Sequence, residues 1–84
     1  MDVQMEVLRV LDEVLCLGGR ALRFSADTPL LGALPELDSM AVVSVVTTLQ
    51  DRLGVGFHDD DIEGERFRTV GDLARLVHER LANP

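Results

Sequence analysis

Between Gly18 and Asp38 the chain loses all regular spacing of its apolar residues. Gly18, Gly19, Pro29, Gly32 and Pro35 punctuate this stretch, and each of them interrupts helix or strand. A connection this long inside so short a chain marks a functional segment more often than a passive link. Leu30, Leu31, Leu34 and Leu37 run through it and are expected to pin it onto the rest of the fold as an ordered loop. Whatever lies on either side must therefore pack around a long, anchored crossing.

The flanking segments have helical spacing. Val3, Val7, Val10, Leu11, Val14 and Leu15 predict a first helix from about Asp2 to Leu17, stopped by the Gly18-Gly19 pair. Asp2, Gln4, Glu6, Arg9, Asp12 and Glu13 fall mostly on its other side, and Cys16 in its last turn is expected to be a small core or boundary residue. A second helix is predicted over Ser39–Leu53, with Asp38 as N-cap and Val42, Val43, Val45, Val46, Leu49 and Leu53 as its apolar stripe. Its valines and threonines are weak helix formers, so a strand competes. The length of the segment and the lack of strict alternation favour helix, held by burial. Gly54 and Gly56 end it. Asp59-Asp60-Asp61 then opens a short third helical turn through Ile62 and Glu63, with three acids opposed to the positive end of the helix dipole. The last helix begins at Thr69, where Thr69 and Asp72 form a variant capping box, and carries Val70, Leu73, Leu76, Val77 and Leu81. The expectation is all-α: four helices, the third short, in a single domain over residues 1–84. Met1 and the frayed Asn83-Pro84 end suggest a discrete protein.

Composition narrows the function. With 46% hydrophobic residues the chain has material for one core, and with no Trp or Tyr that core must be aliphatic. The net charge is −7, and all eight bases are arginines. Such a field repels phosphate backbones and anionic lipid, so neither nucleic acid nor a membrane is an expected partner. A basic protein partner is the natural counterpart. One cysteine excludes an internal disulfide, and no signal peptide or spanning segment is present, which points to the cytoplasm and a monomer.

Two chemistries are weak. Asp59, Asp61, Glu63 and Gly64 follow the opening of a calcium loop, but Val70 stands where the closing Glu belongs, so no metal site is expected. A hydrolase built on Ser39 would need a nearby base, yet His58 and His78 lie in other segments and no Gly-x-Ser-x-Gly elbow exists. The domain is not expected to be an enzyme.

Ser39 stands in the first turn of the second helix, where free N–H groups and the dipole favour an anion. Leu31-Gly32, then Leu37-Asp38-Ser39-Met40, then a valine-rich helix, an acidic third-helix start and a last helix opening Thr69-Val70-Gly71-Asp72-Leu73 together resemble the acyl carrier family and its peptidyl carrier relatives. The resemblance runs from the first helix to Leu81. It implies that Ser39 receives 4'-phosphopantetheine from coenzyme A, attached by a phosphopantetheinyl transferase, and that the arm's thiol holds acyl groups as thioesters. It implies roles for Asp38 as cap and recognition residue and for Met40, Ala41, Ser44, Thr47, Asp51, Asp59 and Asp60 as contacts for acyl-loading and acyl-transferring enzymes. Val43, Val46, Phe57, Ile62, Phe67 and Leu73 are candidates to line an acyl slot, or to be plain core. The sequence departs from the family in a longer span from Leu31-Gly32 to Asp38-Ser39 and in a second helix nearly bare of acids. Those departures suggest a specialised carrier of a lipid, polyketide or exopolysaccharide-associated pathway, with docking less sensitive to salt than for an acid-rich carrier. A non-carrier helical interaction domain and a peptidyl carrier are the alternatives.

Overall fold

A computed structural model describes residues 2–58, 61 and 64–82. Three α-helices form: α1 over Val3–Val14, α2 over Ser39–Leu53 and α3 over Val70–Ala82. Among the described residues two full 3-10 turns, Arg20–Arg23 and Gly64–Phe67, lie in the connections. Among the described residues there is no strand, only an isolated antiparallel bridge between Pro29 and Thr69. No described helix is long and apolar enough to cross a membrane. The expected short helix over Asp59–Glu63 lies outside the described residues except for Asp61.

The core forms where the three stripes meet. α1 packs against both α2 and α3, burying Val7, Leu8, Val10 and Leu11. Asp2 caps it by accepting the Met5 N–H at 3.1 Å. The helix stops three residues short of the expected Leu17. In a continuing helix, positions two apart point to nearly opposite sides, so Leu15 and Leu17 could not both reach the core. Unwinding at Cys16 buries both. The Leu17 N–H bonds back to the Asp12 carbonyl at 3.0 Å, and Cys16 takes the left-handed conformation, φ 55°. Gly18 and Gly19 are left-handed as well, so the glycine pair follows a turn that a cysteine has begun, and that cysteine is exposed rather than part of the core.

The connection to α2 is held from both ends. The Asp12 carboxylate, expected on the outer side of α1, accepts the Gly19 N–H at 2.8 Å and the Ala21 N–H at 3.2 Å. Leu30 and Leu37 are buried and Leu34 packs on the core, whereas Leu31 stays exposed. Further along, the connection is stitched to the start of α3. Leu30 and Leu31 N–H donate to the carbonyls of Arg68 and Phe67, and the Val70 and Gly71 N–H donate to the carbonyls of Thr28 and Ala26. Two helix-start donors that would otherwise lack partners are satisfied by the loop. Thr69 Oγ1 accepts the Asp72 N–H at 3.1 Å, one half of the expected capping box.

α2 keeps its expected bounds. Val42, Val45, Val46 and Leu49 are buried, each worth about 1.5–3 kcal/mol, against a propensity cost of at most about 0.7 kcal/mol per residue. Val43 is the exception: it is 54% exposed, on the outer face rather than in the stripe. A stripe wide enough to include it would need a neighbour on that side of α2. Gly54 ends the helix at φ 69°, its N–H bonding to the Gln50 carbonyl. Beyond it, Asp61 is 5% exposed and holds Arg80 through two 2.7 Å bonds to Nε and Nη2. It also accepts the His58 N–H at 2.9 Å. This pair ties the segment after α2 to the last turn of α3 and commits Asp61 to Arg80.

Candidate functional site

Leu37 anchors the chain just before α2. It is buried, its N–H bonds to the Leu34 carbonyl, and the Leu34 N–H bonds to that of Leu30. Arg20 reaches across from the first 3-10 turn to Glu36 at 2.8 Å. The Glu36 carboxyl is held below its ordinary value, first by a backbone hydrogen bond at Glu36 and then by Arg20. The chain therefore arrives at Asp38 along a fixed path.

Asp38 has extended backbone, φ −97° and ψ −175°, and its Oδ1 accepts the Ala41 N–H at 2.8 Å. Its carbonyl accepts the Val42 N–H at 2.9 Å, the first bond of α2. The cap read from the sequence is in place. Ser39 is the first residue of the helix and is exposed. No acid stands in the first turn itself, and the carboxylate of the cap, Asp38, is engaged by the Ala41 N–H. Among the described residues the N–H groups of Ser39 and Met40 have no partner within the protein. A phosphodiester on the Ser39 oxygen would meet two free donors and the positive end of the dipole. Among the described residues no side chain hydrogen-bonds Ser39. The hydroxyl is presented, not primed: it suits modification by another protein's catalytic groups.

The residues named from the sequence fall into three groups. Met40, 78% exposed, shares the outer face of α2 with Ser44, Thr47 and Asp51, at the three- to four-residue spacing that brings helix side chains together. Ala41 is half-buried against the core. Val43 joins the outer face beside Met40 instead of the slot for which it was a candidate. Val46, Phe67 and Leu73 are buried in the core, and Phe57 packs on its edge. Asp59, Asp60 and Ile62 lie outside the described residues.

Sequence reasoning missed the role of Asp12. Its partners are seven and nine residues away, beyond the reach of any local capping signature. It also missed a pocket of about 300 Å³ lined by Arg66, Arg68, Asp72, Arg75 and Glu79, which includes none of the slot candidates.

Comparison with known proteins agrees with this geometry. A family described as phosphopantetheine attachment site matches residues 6–77. The solution structure of a holo acyl carrier protein from Nitrosomonas europaea is 41% identical and superposes with a TM-score of 0.91, covering 99% of this chain and 100% of that one. A comparison with curated proteins gives no match.

Proposed function

The chain belongs to the phosphopantetheine-attachment family, and from that membership we propose that Ser39 is the residue that carries the arm. The chain is a non-catalytic carrier of acyl-carrier type, and its prosthetic group is 4'-phosphopantetheine. When bound, that group supplies a terminal thiol on which acyl groups are held as thioesters. The observation that carries the assignment to Ser39 is its exposed place as first residue of α2, with Asp38 capping and the two N–H groups of Ser39 and Met40 left over. Asp38 holds the helix start rigid for the transferase, and the buried Leu37 fixes its position.

Residues 1–84 form one carrier domain in this reading. Met40, Val43, Ser44, Thr47 and Asp51 are the docking face for loading and transferring enzymes, with Ala41 supporting it and Asp59 and Asp60 extending it. Met40 and Val43 make the α2 part of that face apolar, with Asp51 its one acid, which supports docking there by apolar contact, weakly dependent on salt. It also supports a specialised lipid, polyketide or exopolysaccharide-associated pathway over bulk fatty-acid synthesis. An acyl chain would enter by parting Val46, Phe57, Ile62, Phe67 and Leu73. The carrier works as a monomer in the cytoplasm. Its partners are a phosphopantetheinyl transferase and acyl-handling enzymes.

The test is intact mass after incubation with coenzyme A, magnesium and a broad-specificity transferase. Wild type should gain one phosphopantetheine and Ser39→Ala none. Modification of Ser39→Ala, or none of wild type with several transferases, would overturn the assignment. Loading of the holo form with aminoacyl but not acyl groups would turn it into a peptidyl carrier.

A further inference from the structure

Outside the docking face, the most unusual surface is cationic. Arg66 and Arg68, in and just after the second 3-10 turn, converge with Arg75 of α3 on the pocket of about 300 Å³. Three of the eight bases of a chain of net charge −7 thus surround one depression. The other arginines are differently disposed. Arg9, Arg20, Arg52 and Arg80 pair with Glu6, Glu36, Glu13 and Asp61, and Arg23 stands exposed and, among the described residues, by itself in the first 3-10 turn, away from the pocket lining. In the pocket Arg66 pairs with Glu79. Arg68 and Arg75 are exposed and, among the described residues, have no carboxylate within ion-pair distance.

We propose that this pocket is a second docking site, which takes a carboxylate-bearing acidic segment of a partner protein. Guanidinium is a planar fork that matches carboxylate in a bidentate pair, and the Arg66–Glu79 pair shows these side chains already holding one carboxylate. Phosphate fits less well. A helix start normally binds phosphate through its free N–H groups. At α3 those of Val70, Gly71 and Asp72 are already taken by Thr28, Ala26 and Thr69. Asp72 and Glu79 also stand in the lining and would repel a doubly charged anion more than a singly charged carboxylate. The chain as a whole is acidic, so the rest of its surface mostly repels an acidic partner segment while the pocket attracts it, which favours one orientation. The site lies on α3 and the turn before it, whereas Ser39 starts α2, so it does not depend on the assignment of Ser39.

The test is an NMR titration of the full-length labelled chain with a short polyglutamate peptide, with inorganic phosphate as a parallel arm. Saturable shifts are expected at the amides and guanidinium N–H groups of Arg66, Arg68 and Arg75, fading with added salt. The double variant Arg68→Gln, Arg75→Gln should weaken binding about fivefold or more with its other resonances in place, and should still accept phosphopantetheine. No saturable shift, shifts unaltered in the double variant, or tighter binding of phosphate than of peptide at these resonances would each overturn the proposal.

Discussion

Asp12 is expected to govern how firmly the connection leading to Ser39 is held. Its carboxylate accepts two backbone N–H groups, from Gly19 at 2.8 Å and Ala21 at 3.2 Å. Ala21 is fully buried, so its N–H cannot turn to water when the acceptor is lost. A hydrogen bond to a charged group is worth about 1.5–3 kcal/mol. Asp12 is only half-buried, so both bonds belong at the low end, giving about 3 kcal/mol together. Two effects oppose this in Asp12→Ala. Alanine is the better helix former by about 0.5 kcal/mol, and removing an acid near the C-terminal end of α1 relieves about 0.3–1 kcal/mol of dipole repulsion. The net expectation is a loss of about 2 kcal/mol for Asp12→Ala, out of a total of about 4–13 kcal/mol for a chain of this length. Asp12→Asn keeps an acceptor oxygen and should lose about 1 kcal/mol. With no Trp or Tyr, urea unfolding is best followed by the helical circular dichroism band. Amide exchange should quicken at Gly19 and Ala21 in particular. A loss below about 0.5 kcal/mol for Asp12→Ala, or unaltered exchange at those two amides, would refute the reasoning.

Other outcomes rest on the same geometry. Asp38→Ala removes the cap of α2 and should cost about 0.5–2 kcal/mol in urea unfolding, with Asp38→Ser restoring most of it. Gly71→Ala should fail to yield the stabilisation of about 1 kcal/mol usual in helices, because an added Cβ would stand 3.0 Å from the Ala26 carbonyl oxygen; a melting temperature raised by several degrees would count against that contact. The Asp61 carboxyl is held below its ordinary value by the Arg80 hydrogen bond, against the opposing effect of burial and with help from the His58 N–H. Since the depression belongs to the folded state, its stabilisation is complete above the ordinary carboxylate range and is lost as pH falls through the lowered folded value. Thermal melts of wild type and Asp61→Asn should therefore differ most near neutral pH and converge in acid, and a gap independent of pH would sink this account.

The three helices were legible because their signal is local. Apolar residues three and four apart define a buried face wherever the partner lies, and Asp38 caps Ser39–Leu53 through a bond only three residues long. The order of Leu31-Gly32, Asp38-Ser39 and Thr69-Val70 along the chain likewise needs no coordinates, so the family could be read directly and Ser39 proposed as its attachment site. What periodicity does not encode is which side of a helix has a neighbour. Val43 sits within a continuous valine pattern, yet no described element covers that side of α2, so it faces outward. The end of α1 was decided by the joint burial of Leu15 and Leu17 and by the pull of Asp12 on Gly19 and Ala21. The pairing of Asp61 with Arg80 spans nineteen residues. The gathering of Arg66, Arg68 and Arg75 depends on how the turn before α3 folds against it. Spacing along the chain thus determined the helices and the serine, while charge pairing, helix ends and outward faces waited on tertiary structure, because each depends on groups that only the folded chain brings together.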